Sequence, residues 1–159
     1  MAKTTSAIQR ELKQKRPFRS AHQEATLALL RTADVVRRRI AEVIEPWGIT
    51  VQQYNVLRII LGAGNDGIPT LDIAERMIER APGITRLLDR LEAKKLVRRQ
   101  RCPTDRRQVM CWITEPGLRL LKEMEESVNQ ADHMAIGDVA AGELERFIGL
   151  LDAVRREVK

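Results

Sequence analysis

Aromatic residues are scarce in this 159-residue chain: two Trp, one Tyr and two Phe, or 3% of the sequence. Yet 43% of residues are hydrophobic, so the core must be aliphatic, which suits helices packed through Leu, Ile, Val and Ala. Cysteine is scarcer still. Cys102 and Cys111 are too few for a disulfide scaffold. No apolar run approaches the length of a membrane span. The basic N-terminal stretch has no apolar segment after its charges and does not read as a secretory signal. A cytoplasmic protein is expected. His22 and His133 lie far apart without ligand spacing, so no metal site and no cofactor are expected. No nucleophile motif, phosphate loop or paired-carboxylate cluster is present, and an enzyme is not expected.

Positive charge is present in quantity and unevenly spread. The formal net charge is +6. Residues 76–107 hold eleven basic and four acidic side chains, the first nineteen hold six and one, and the remainder is net acidic. Charge gathered in one window is the footprint of a phosphate-binding surface, although a solvated face has the same composition.

Residues 1–19 show no periodicity and are expected as a flexible basic arm. Within 20–48, Leu29, Ala33, Val36, Ile40, Val43 and Trp47 make a stripe on one helical face, ended by Pro46 and Gly48. Thr50 and Gln53 form a capping box for a second helix, whose inward face is expected to carry Val51, Tyr54, Leu57 and Leu61. After a glycine-rich loop at 62–67, Ile68-Pro69 suits a very short strand. Thr70 is expected to cap a third helix that turns Leu71, Ala74 and Met77 inward. A fourth helix begins at Pro82, where the missing N–H costs nothing. Residues 96–102 and 108–113 read as two strands around a turn. Thr114 caps a fifth helix with Leu121, Met124, Val128 and Ala131 on one face. A last helix carries Leu144, Phe147, Leu151, Val154 and Val158.

Two short helices joined by a tight turn present the second one for docking in a major groove. That second helix needs one apolar and one polar face. Ile84, Leu87, Leu88 and Leu91 supply the first; Arg86 and Arg90, with Gly83 and Thr85, supply the second. An ordinary amphipathic surface helix has the same division. The hairpin adds weight, because Asp105-Arg106-Arg107 sits at its tip and Arg98, Arg99 and Arg101 flank it. A basic ribbon beside such a helix has the composition of a wing, and an Arg on its tip suits the narrow minor groove.

The run Thr85-Arg86-Leu87-Leu88-Asp89-Arg90-Leu91-Glu92, followed by Leu96-Val97, resembles the recognition helix of the MarR family. Asp105-Arg106-Arg107 with Ile113-Thr114 and Gly117 resembles that family's wing, and Asp72-Ile73-Ala74-Glu75 its third helix. The resemblance spans about 49–121. It implies a mainly α fold with a small β-hairpin wing. A winged helix-turn-helix at 49–114 would lie between dimerisation helices at 20–48 and 115–159. It implies a homodimeric, sequence-specific regulator on a pseudo-palindromic duplex operator, a repressor released by a small effector. Asp105 would hold Arg86, Arg107 would enter the minor groove, and Thr70, Arg80 and Pro82 would join the DNA-binding surface. A small aromatic effector would sit near Trp47, Tyr54 and Arg58, although core packing is the plainer duty of Trp47 and Tyr54. The chain departs from the family with Ile78 in the turn, Gly83 in place of a hydroxyl residue, and Lys95 in place of a helix-ending Gly. Lys95 in a left-handed cap would cost about 1 kcal/mol. If Arg99 faces Cys111 across the hairpin, the two cysteines are not opposite each other and a strain-free disulfide is not expected. A winged helix used for protein contacts, and a sequence-indifferent nucleic-acid binder, fit the same charge.

Overall fold

The structure, a computed structural model, describes residues 5–80, 83–102, 105, 107–137 and 139–156. It opens with a short helix, α1 (Ala7–Glu11), inside the segment expected as a flexible arm. The Ser6 hydroxyl accepts from the Gln9 N–H at its start, and Glu11 pairs with Arg31 at 3.7 Å. Five residues are too few to show a 3.6-residue period, which is why no periodicity marks this helix.

Helix α2 (Ala21–Ile44) starts from a Ser20 cap and runs into a 3-10 turn at Glu45–Trp47, which Gly48 ends at φ +78°. It packs mainly against α6 (Glu115–Ile136). Helix α3 (Val51–Gly62) begins with the expected capping box, Thr50 and Gln53 each accepting from the other's backbone N–H. Its inward face is Val56, Leu57 and Ile60, all 0% exposed, while Leu61, expected inward, is an exposed side chain. Three core positions spaced one and three residues apart fix the helix rotation and leave Leu61 on the solvent side.

Strand β1 (Ile68–Pro69) leads directly into α4 (Thr70–Arg76). Thr70 is the first helical residue and caps nothing; its hydroxyl donates to the Val109 carbonyl at 3.1 Å. The pairing of Pro69 with Met110 brings Thr70 against that strand. Leu71, also expected inward, is 73% exposed, whereas Ile73 is fully buried. Helix α5 (Ile84–Ala93) is followed by β2 (Val97–Arg101) and β3 (Val109–Ile113). The sheet is antiparallel in the order β1-β3-β2, with Arg99 opposite Cys111. Cys111 is buried, and neither cysteine is in a disulfide.

Thr114 caps α6 through the Gly117 N–H, and Gly117 lies close against the hairpin root. A Cβ at Gly117 would stand 2.3 Å from the Leu96 carbonyl oxygen. Leu121, Met124, Val128 and Ala131 are all buried, as their spacing predicts. One aliphatic core joins α2, α3, α4, α5, the sheet and α6. The last helix, α7 (Ala141–Arg156), buries no residue. No described helix is long and apolar enough to cross a membrane.

Candidate nucleic-acid interface

Helix α5 divides as its sequence predicts. Leu88 and Leu91 are 0% exposed, and Ile84 and Leu87 pack partly against the core. Thr85, Arg86 and Arg90 are exposed on the other side. Gly83 is the N-cap at φ +115°, with no side-chain cap bond and nothing near a hypothetical Cβ. The backbone there favours glycine, so the departure from a hydroxyl residue follows from the turn's geometry. At the other end the Lys94 ammonium donates to the Gly48 carbonyl, tying the helix to the α2–α3 joint. Lys95 then takes φ +60°, the left-handed position expected of it.

The wing is fastened to α5 through Arg99. Its backbone N–H donates to Glu92 Oε1 at 3.0 Å, and its Nη2 lies 2.6 Å from both Glu92 Oε2 and Asp89 Oδ1. The Arg99 side chain is only 20% exposed. A guanidinium held by two carboxylates is poorly placed to take a phosphate, so the Arg99 expected at the DNA surface is instead a strut between ribbon and helix. The hydrogen bonds that the Arg99 side chain donates to Glu92 raise its pKa, and burial opposes them. On the other sheet face Arg98 stacks over Trp112, 4.1 Å from the ring centroid, and the indole N–H donates to the Asn65 carbonyl. Arg101 is exposed at the end of β2.

At the wing tip the Asp105 carboxylate accepts from the Arg107 N–H at 3.0 Å, a turn-forming bond. No ion pair joins Asp105 to Arg86 among the described residues, whereas Arg99 pairs with Asp89 and Glu92. Pro82 and Arg106 lie outside the described residues. Thr70, Thr85, Arg99 and Arg107 share one cleft between α4, α5 and the wing root. Arg90 lines a different cavity on the α2 side of α5, and Arg80 faces Arg155 and Arg156 of α7. No group of three or more His, Cys, Asp or Glu suited to a metal is found among the described residues.

Of the three residues expected around an effector, Trp47 lines a hollow that takes in neither Tyr54 nor Arg58. The hollow, of about 390 Å³, is also lined by Lys94, Leu96 and Arg119. Tyr54 lies instead near Arg58 and the acidic side of α6. Burial pushes its hydroxyl up, Arg58 opposes this, and Asp132 and Glu125 add to it. A second cavity, of about 320 Å³, lies on the seam between α2, α3 and α5 and is lined by Ala41, Val51, Met77, Leu87 and Arg90. Two contacts at this seam escaped the sequence reading. Arg37 of α2 pairs with Glu79 of the α4–α5 turn at 2.5 Å, and Asn55 Oδ1 accepts from the Ile78 N–H at 3.0 Å. The Arg37–Glu79 pair spans 42 positions and leaves no local pattern. Asn55 is one of several polar residues of α3, beside Gln52, Gln53 and Arg58, so its spacing carried no signal either.

A helix-turn-helix backed by a three-stranded antiparallel sheet defines a winged-helix fold. The family model described as MarR family matches residues 47–108. The crystal structure of a MarR transcription factor from Planctomyces limnophilus is 42% identical, covering 86% of this chain and 99% of that one, with a TM-score of 0.67. The chain belongs to the MarR family. It is also 31% identical over 110 residues to a Thauera aromatica protein named for regulation of the hcr operon, and spans 65% of that protein's length and 69% of its own. The fold matches that of Sco3205, a MarR family regulator of Streptomyces coelicolor solved in complex with DNA, at 18% identity and a TM-score of 0.79 over 89% of this chain and 94% of that one.

Proposed function

We propose that this chain is a homodimeric, sequence-specific repressor that reads duplex DNA with the outer face of α5 and releases it when a small molecule binds. One observation carries the DNA reading. Thr85, Arg86 and Arg90 stand exposed along a helix whose opposite face buries Leu88 and Leu91, with the Arg107 wing tip beside it. Arg86 and Arg90, one turn apart, have the planar fork that meets guanine O6 and N7. Arg107 would probe the minor groove, and Arg98, Arg101 and Arg106 would meet the backbone. The DNA complex of Sco3205 supports this use of the fold.

Dimerisation rests on α7. Its Phe147, Ile148, Leu150 and Val154 are 37%, 51%, 59% and 49% exposed, and Leu30 of α2 and Met134 of α6 are 63% and 71% exposed. A second copy would cover this surface, which is continuous in composition with neither the wing nor α5. Residues 20–48 and 115–159 then serve as dimerisation helices. An effector in the α2–α3–α5 seam would touch Arg90 directly and stand beside the Arg37–Glu79 pair.

Selection of bound fragments from a random duplex library tests the proposal. The expected result is one pseudo-palindromic sequence, preferred at least about a thousandfold over random duplex at matched salt. Equal binding to all duplexes would make the chain a sequence-indifferent binder. No binding at low salt would leave a protein-interaction module.

A further inference from the structure

Leu71 is out of place for an aliphatic residue. It sits in the first turn of α4 and is 73% exposed, while Ile73, two residues on, is 0% exposed. It lines a cleft of about 320 Å³ together with Thr70, Asp72, Thr85, Arg99 and Arg107. Three separate elements therefore converge there: the start of α4, the start of α5 and the wing.

The lining has two characters side by side. Leu71 offers an apolar knob. Thr85 offers a hydroxyl, and Arg107 a guanidinium on an exposed residue. Arg99 is held by Asp89 and Glu92, so Arg107 is the cation placed to meet an anion. Asp72, half-buried in the first turn of α4, places one carboxylate at the same cleft and disfavours a simple anion that would fill it. A ligand that suits this lining presents an apolar edge next to a phosphate and extends past the cleft. A deoxyribose joined to its phosphate is such a unit.

We propose that this cleft seats one sugar–phosphate unit of duplex DNA, with the Leu71 side chain packed on the deoxyribose and Thr85 on the phosphate, where the Arg107 that probes the adjoining minor groove adds its charge. The inference rests on the DNA-binding reading above and adds Leu71, which the sequence reading placed in the core. The leading helix of a helix-turn-helix crosses the DNA backbone, which is where α4 presents Leu71. A contact with a sugar carries no charge, so its signature differs from that of a phosphate contact. It adds affinity on every sequence and leaves the salt dependence alone.

Fluorescence anisotropy on the selected duplex and on random duplex, over a salt series, tests this with the full chain. Leu71→Ser is expected to weaken both duplexes about tenfold, with the slope of log affinity against log salt unchanged. Leu71→Met, which keeps an apolar side chain, is expected to restore most of the loss. Arg107→Ala is expected to flatten the slope by about 0.9. The thermal midpoint of Leu71→Ser should match that of the wild type, because the side chain it removes is exposed. Unchanged affinity in Leu71→Ser, a changed slope in that variant, or equal weakening by Leu71→Met would each overturn the inference while the DNA reading stands. A wild type that binds no duplex at low salt would overturn both.

Discussion

Helices α5 and α7 are both amphipathic and both rich in leucine, yet they stand at opposite ends of burial. Leu88 and Leu91 of α5 are 0% exposed, and the polar side of that helix is tied down by Arg99. The apolar side chains of α7 remain 37–59% exposed at Phe147, Ile148, Leu150 and Val154. The contrast separates two uses of one pattern. In α5 the apolar face is consumed within the chain, so its exposed arginines are what remains to be explained. In α7 the apolar face is itself what remains, and the proposed second copy would cover it. Isolated exposed hydrophobics are ordinary on a protein surface, but a whole helix face is not.

Five changes would break or sharpen this contrast. Gly117→Val should have the largest effect, more than about 4 kcal/mol of stability, because its Cβ meets the Leu96 carbonyl oxygen at 2.3 Å. Chemical denaturation would measure it, and a variant of normal stability would mean that α6 can shift off the hairpin. Leu88→Ala should cost about 3 kcal/mol by emptying a fully enclosed core site, with a lowered denaturant midpoint and unchanged slope. Phe147→Asp combined with Val154→Asp should weaken self-association at least about a hundredfold in sedimentation equilibrium while circular dichroism is preserved. An unchanged association constant would remove α7 from the dimer interface. Arg99→Ala should lower stability by about 1–2 kcal/mol and weaken binding to every duplex without altering the salt slope, since its charge is already met by Asp89 and Glu92. A flattened slope would return Arg99 to the phosphate contacts. Lys95→Gly should be the mildest and stabilising, by about 1 kcal/mol, because it relieves φ +60°. A thermal midpoint raised by a few degrees would register it.

Local signals in the sequence were read well, and distant ones were not. The Thr50–Gln53 capping box, the Thr114 cap and the buried stripe of α6 each depend on residues a few positions apart, and the left-handed Lys95 followed from the family resemblance. The register sets Arg99 opposite Cys111, the pairing considered as a condition from the sequence. The misplaced residues share another cause. Thr70 was diverted from capping by a strand 39 positions away, and Leu71 and Leu61 were turned outward by the rotation their helices need to bury Ile73 and Ile60. In the site, α5's two faces were legible because a helix displays them every 3.6 residues. The ties that hold α5 in place were not. Arg99 carries the same positive charge whether it meets a phosphate or two carboxylates, and only three-dimensional proximity distinguishes the two.

Gly117 also fixes how α6 can move. The helix is pressed onto the Leu96 carbonyl at its first turn, with no room for a methyl group between them, and then runs for 22 residues. At 1.5 Å per residue that is a rod of about 33 Å, pivoted at the root of the wing. A tilt of about 5° at the pivot displaces the far end by about 3 Å, and displacing the far end by that much tilts the wing root in return. A rod seated this tightly at one end works as a lever without backlash, so small adjustments at its far end would be felt at the ribbon.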